Sequence, residues 1–113
     1  MSPWEEEIDR ELRRAGMMKH PGQLRTVARR VAGIALRQLP DVRTGISGHD
    51  DVVMLLKIFS GLSGIPEAAR TAAIRLYTRL DADFSSPSKD PIADARIIID
   101  YVRAFLSTAA EGL

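Results

Sequence analysis

The chain has 113 residues, of which 45% are hydrophobic and 27% charged, a composition typical of one folded domain and not of a disordered or collagen-like chain. It has no cysteine, which excludes disulfide frameworks, thiolate metal sites and cysteine nucleophiles. The formal net charge of +1 gives no global attraction to nucleic acid or membranes. No apolar run is long enough to span a membrane, and the N-terminus is acidic where a signal peptide would be basic. We therefore expect a cytoplasmic protein.

Two helices are predicted in the first part of the chain. Ser2, Pro3 and Glu5 combine a capping box with a proline at the first helical position. An apolar stripe follows at helical spacing, formed by Trp4, Ile8, Leu12 and Ala15. The second helix is predicted from about Pro21 to Leu39, because Pro40 cannot continue it. The next residues, 41–47, are rich in glycine and polar side chains and are predicted to form a loop.

Three further helices are predicted in the second part. The third begins near Ser47 and is apolar almost all round, so we expect it at the centre of the bundle. The fourth opens at Pro66 and Glu67, and its expected core face reaches Phe84. The fifth opens with an Asp90 cap and Pro91 at its first position.

No segment has the alternating pattern of a strand, so the prediction is an all-α, single-domain helical bundle of about five helices over residues 1–113. In the fifth helix we expect Phe105 to lie in the core, where Phe105→Ala would destabilise the fold by roughly 3–5 kcal/mol.

Arginine is concentrated in the second predicted helix. The chain has thirteen arginines and three lysines, and residues 10–43 include nine basic and two acidic residues. Arg25, Arg29, Arg30 and Arg37 spread over the side of the helix away from its apolar face, and such a row could contact the phosphates of a nucleic acid. The stretch has no aromatic residue to stack on bases. The other interpretation is a solvated or partner-pairing face, for which Arg29→Ala would change stability by less than about 0.5 kcal/mol.

Catalytic and metal-binding patterns are weak. The sequence "GHDD" at 48–51 places His49 beside carboxylates, but the pair opens an apolar helix, whereas the His-Asp pair of the helical metal phosphohydrolases closes one. The spacing of Arg14 to His20, and of Arg43 to His49, resembles the arginine–histidine motif of HEPN-type helical ribonucleases. That resemblance would imply a ribonuclease, yet neither pair is set in a continuous helical pattern. We expect no catalytic residue, no metal and no cofactor.

Excess hydrophobicity favours a protein partner. The third and fifth predicted helices are both apolar over most of their surface, and a five-helix bundle has room for one central helix. Interface residues are predicted at Leu36 and Ile74, which point away from the core faces of their own helices, and at Ile97 and Tyr101 on the broad apolar surface of the fifth helix. The function predicted first is a small, non-enzymatic protein–protein interaction module, most simply a homodimer. Nucleic-acid binding through the arginine row is the alternative, and a HEPN-like ribonuclease is third.

Overall fold

The chain forms a bundle of α-helices. The computed structural model describes residues 2–43, 51–78 and 89–111, with side chains described up to residue 109. Within these ranges there are six helices and no strand: α1 (Pro3–Ala15), α2 (Pro21–Leu36), α3 (Pro40–Arg43), α4 (Val52–Gly61), α5 (Glu67–Tyr77) and α6 (Pro91–Glu111). The predicted all-α class is therefore confirmed. Among the described residues, no helix combines the length and the apolar character required to cross a membrane.

Local capping chemistry sets where several helices begin. At the start of α1 the Glu5 carboxylate accepts hydrogen bonds from the Ser2 hydroxyl at 2.8 Å and from the Ser2 amide at 3.4 Å. At the start of α6 the Ala93 amide donates to Asp90 Oδ1 at 3.1 Å. The Ala93 amide belongs to the first turn of α6, where backbone N–H groups have no carbonyl partner within the helix. The two contacts of Glu5 fix the N-cap residue of α1. These two helix starts agree with the prediction.

Other helix ends differ from the prediction. Helix α2 ends at Leu36, one turn earlier than expected. A separate helical turn, α3, begins at Pro40 and includes the first three residues of the segment predicted as a loop. Proline is well suited to the first position of a helical turn, because its missing N–H has no carbonyl to bond there. Helix α4 begins after Asp51, whose carboxylate accepts from the Val53 amide at 3.0 Å. The predicted start at Ser47 lies outside the described residues, as do Leu80 and Phe84 of the predicted fourth helix.

Helix α2 lies at the centre of the bundle. It packs against α1, α4, α5 and α6, while α5 also packs against α4 and α6. Half of its eight buried residues are small: Ala28, Ala32, Gly33 and Ala35. A Cβ atom at Gly33 would lie 3.1 Å from a methyl group of Val52, so α2 and α4 are already in close contact there. Small side chains allow helix axes to approach closely, and α2 can therefore be surrounded.

Helix α4 is more peripheral than its hydropathy predicts. Only Leu55, Leu56 and Phe59 of its ten residues are buried, and Met54 is 48% exposed. The prediction that this apolar helix occupies the centre was therefore wrong. The mean hydropathy of α4 is high because its apolar side chains are large. A helix at the centre of a bundle needs small side chains, so that its neighbours can approach closely.

Candidate functional site

Two arginines of α2 close the end of α5. The Arg29 side chain donates from Nε to the Leu76 carbonyl at 2.7 Å, and Arg25 Nη2 donates to the Thr78 carbonyl. These carbonyls belong to the last turn of α5 and the residue that follows it, where helix carbonyls have no partner within the helix. Positive charge is also favourable there, because the C-terminal end of a helix is the negative end of its dipole. Arg25 and Arg29 therefore have a structural role within the bundle.

The Arg29 charge is only partly compensated. Burial is the largest influence that lowers the pKa of Arg29, and the nearby Arg25 guanidinium lowers it further. The Asp51 carboxylate acts in the opposite direction. Two guanidiniums and one carboxylate therefore act on each other here, and burial adds a desolvation cost to the charged form of Arg29.

Arg30 and Arg37 lie toward α1. The Arg30 guanidinium is 3.2 Å from Glu11 of α1, which is also 3.7 Å from Arg14. Arg37 is half-buried at the end of α2 and lines a cleft of about 400 Å³ together with Trp4 and Glu7 of α1. At 100° per residue, Arg25 and Arg29 are about 40° apart on α2, while Arg30 and Arg37 lie about 80–140° away from them. The four arginines predicted as one row are thus divided between two flanks of the helix.

Arginines outside α2 also join helices. Arg70 Nη2 donates to the Leu62 carbonyl at 3.1 Å, just past the end of α4. Arg75 of α5 makes two hydrogen bonds to the buried Asp94 carboxylate of α6, at 3.0 and 2.6 Å. Arg103 of α6 donates to Glu5 at 3.1 Å. The preference for arginine over lysine fits these contacts, since a planar guanidinium donates several hydrogen bonds in fixed directions.

The predicted interface residues are not all at the surface. Leu36 is fully buried in the core, so its side chain is not available to a partner. The prediction assumed that α2 has one buried side and one exposed side, whereas α2 is surrounded by other helices on several sides. Ile74 of α5 is 39% exposed, in agreement with its predicted outward position. Ile97 and Tyr101 of α6 are half-buried at the edge of the core. Tyr101 packs between two aromatic rings, with its centroid 5.5 Å from that of Phe59 and 6.3 Å from that of Phe105.

Phe105 is 39% exposed, and its predicted place in the core was wrong. The Arg75–Asp94 contact joins the last part of α5 to the first turn of α6, so the two helices are antiparallel. Eight positions separate Arg75 from the start of α5 at Glu67, and eight positions after Asp94 lead to Val102. Helix α5 therefore offers no turn opposite Phe105, and the ring stays partly in solvent.

Two of the residues weighed for catalysis, His20 and Arg14, make contacts within the chain. His20 caps α2, with its Nδ1 accepting from the Gly22 amide at 3.1 Å. Arg14 and His20 line one cleft of about 390 Å³, and Arg14 is held beside Glu11. His49 and the residues that precede it from 44 onward lie outside the described residues. In the part of the chain that the structure describes, no group of three histidine or carboxylate side chains is placed to hold a metal ion.

Sequence reasoning missed the inter-helix contacts of Arg75 and Arg103. The sequence does show both kinds of partner. Each arginine lies on the polar side of its helix, and an acid stands in the first turns of the neighbouring helix, Asp94 in α6 and Glu5 in α1. The pairing itself depends on which helices are adjacent, which the sequence pattern leaves open. Comparisons of the chain with protein-family models, with curated proteins and with solved structures found no match.

Proposed function

We propose that this chain is a small, non-enzymatic helical interaction module that self-associates through α6. The observation that supports the proposal is the partial exposure of Phe105 beside Tyr101, on the part of α6 that extends beyond α5. Aromatic side chains are enriched at the centres of protein interfaces, where they contribute much of the binding free energy.

The α6 residues one turn from Phe105 carry no charge: Tyr101, Val102, Thr108 and Ala109. At helical spacing, one stripe of α6 comprises five uncharged residues, which we term the α6 strip: Ile97, Tyr101, Ala104, Phe105 and Thr108. Ala104 and Thr108 are exposed and small, so a second helix can approach closely. Arg96 and Arg103 lie on the other side of the helix, while Asp100 flanks the strip one turn before Ala104.

The free energy available at the strip is modest. A phenylalanine side chain has roughly 200 Å² of surface, of which the exposed 39% is about 80 Å². Covering that area contributes about 2 kcal/mol for each Phe105, at about 25 cal/mol per Å². Two copies related by a two-fold axis cover two such rings, which favours a reversible dimer over an obligate one. A cytoplasmic location is part of the proposal, supported by the absence of cysteine from the sequence.

The nucleic-acid alternative has less support. Arg25 and Arg29 donate to carbonyls at the C-terminal end of α5, and Arg30 is held by Glu11, so these arginines already have partners within the chain. A backbone-tracking surface needs several cations on one face. Each flank of α2 carries only two of the four arginines, which is fewer than such a surface needs.

The proposal is tested by sedimentation equilibrium over a concentration series up to about 2 mM, because the roughly 4 kcal/mol from two covered Phe105 rings corresponds to a Kd of about 1 mM. The wild-type mass should rise from 12.5 kDa toward twice that value. Phe105→Glu should keep the protein monomeric, because two rings are replaced by charges that repel across the interface. Met54→Glu is the matched control, since Met54 is a similarly exposed apolar residue on α4.

Circular dichroism checks that each variant is folded. If Phe105→Glu loses its helical signal, Ala104→Glu takes its place, because Ala104 is an exposed member of the α6 strip whose replacement leaves the core intact. A wild-type protein that remains monomeric throughout the series would contradict self-association. Equal weakening by Met54→Glu and by the α6 variant would contradict the assignment to α6.

A further inference from the structure

A further cleft lies at the C-terminal end of α5, away from the α6 strip. Three helices contribute to this cleft, which has a volume of about 520 Å³ and is lined by Arg29, Asp51, Val53, Lys57, Tyr77 and Thr78. Its size falls in the range of roughly 300–1,000 Å³ that is usual for small-molecule sites. It is separate from the α6 strip, and nothing in the proposed self-association uses it.

Two cations from different helices line the cleft. Arg29 of α2 is fixed by its hydrogen bond from Nε to the Leu76 carbonyl, and its other N–H groups have no hydrogen-bond partner among the described residues. The Lys57 ammonium of α4 lies 5.7 Å from the centre of the Tyr77 ring and has no ion pair with a described carboxylate. The Tyr77 hydroxyl likewise makes no hydrogen bond to a described residue. Several donors are therefore available toward one space.

The acid in the cleft does not balance these charges. Asp51 is the carboxylate among the lining residues, and its Oδ1 already accepts from the Val53 amide at the start of α4. Arg25 adds a further positive charge next to Arg29. An anion that enters the cleft would be attracted by the Arg29 guanidinium, the Arg25 guanidinium beside it and the Lys57 ammonium.

We infer that this cleft binds a small anion bearing a phosphate group, most favourably a phosphomonoester. A phosphate dianion matches two cations, with the Arg29 guanidinium giving directed N–H contacts and the Lys57 ammonium a point charge. The Tyr77 ring and the Val53 side chain form an apolar wall that an organic group on the ester can contact. A monocarboxylate supplies one charge and fewer acceptor oxygens, so it should bind less tightly.

The test is an NMR titration of the full chain at constant ionic strength, following the backbone amides of Val53, Lys57 and Thr78. The probes are inorganic phosphate, phenyl phosphate and acetate. We expect saturable shifts with a Kd on the order of 1 mM for phosphate, tighter binding of phenyl phosphate, and weaker binding of acetate. Phosphate and phenyl phosphate binding equally would assign the site to the free anion, which still supports a phosphate site.

Matched lysine variants separate the site from general electrostatics. Lys57→Gln should raise the Kd for phosphate about fivefold, the size expected for one partly exposed charge contact. Lys19→Gln removes the same charge from an exposed position in the α1–α2 connection and should leave the Kd unchanged. The inference is overturned if the shifts fail to saturate by about 50 mM phosphate, if acetate binds as tightly as phosphate, or if both lysine variants weaken binding equally.

Discussion

The contact between Arg75 and Asp94 predicts that removing one partner destabilises the fold more than removing the other. The two side chains join α5 to α6 through a pair of hydrogen bonds at 3.0 and 2.6 Å. They differ in exposure, since the Asp94 side chain is 7% exposed and that of Arg75 is 36% exposed. Hydrogen bonding to Asp94 raises the pKa of Arg75, in opposition to its burial. The pair is therefore intermediate between a surface ion pair and a fully buried one.

The cost of removing each partner depends on what is left behind. Arg75→Met removes the guanidinium that donates two hydrogen bonds to the buried Asp94 carboxylate, and breaking a buried ion pair by removing one partner costs roughly 3–5 kcal/mol. We expect about 3 kcal/mol, because water can reach the site through the exposed part of the Arg75 position. Asp94→Ala leaves a guanidinium that water can solvate, so its expected cost is about 2 kcal/mol, close to that of lost charged hydrogen bonds.

Urea unfolding of both single variants and of the double variant measures these values and the coupling between the two residues. We expect a coupling free energy of at least about 1.5 kcal/mol. Asp100→Ala is the control, because Asp100 is 74% exposed and lies 3.7 Å from Arg103, so its loss should cost under about 0.5 kcal/mol. If Asp94→Ala costs more than Arg75→Met, or if both cost as little as Asp100→Ala, the reasoning from burial fails.

Three further predictions use the same unfolding assay. Arg29→Ala should destabilise the fold by about 1–2 kcal/mol, above the limit of about 0.5 kcal/mol expected from the sequence, because the α5 carbonyl loses its donor. Exposed Arg10→Ala should stay below about 0.5 kcal/mol, and equal costs would remove the capping role. Phe105→Ala should cost about 1–2 kcal/mol, and a loss of about 4 kcal/mol would mean that the ring is buried in solution. The hydrogen bond from the Ser2 hydroxyl is the main cause that lowers the pKa of Glu5 below its ordinary value of 4.5. A lowered folded-state pKa stabilises the fold above pH 4.5, and this contribution is lost as the pH falls through the folded value, so Glu5→Gln should reduce the acid-dependent loss of stability.

Parts of the fold were determined by local chemistry that a sequence displays. The starts of α1 and α6 follow from Ser2, Glu5, Asp90 and their prolines, because capping involves residues within three positions of each other. The all-α class follows from apolar residues at helical spacing throughout the chain. Neither depends on which helices become neighbours.

The positions of the central helix, the arginines and Phe105 were decided by tertiary structure. Helix α2 is central because small side chains such as Gly33 admit close neighbours, a property that hydropathy does not measure. Arg25 and Arg29 cap α5 because of where that helix ends beside α2. Phe105 remains partly exposed because α6 extends beyond α5, which the apolar pattern of α6 alone does not show. Each outcome depends on distances between elements far apart in the chain, whereas sequence periodicity reports only which side of a single helix is apolar.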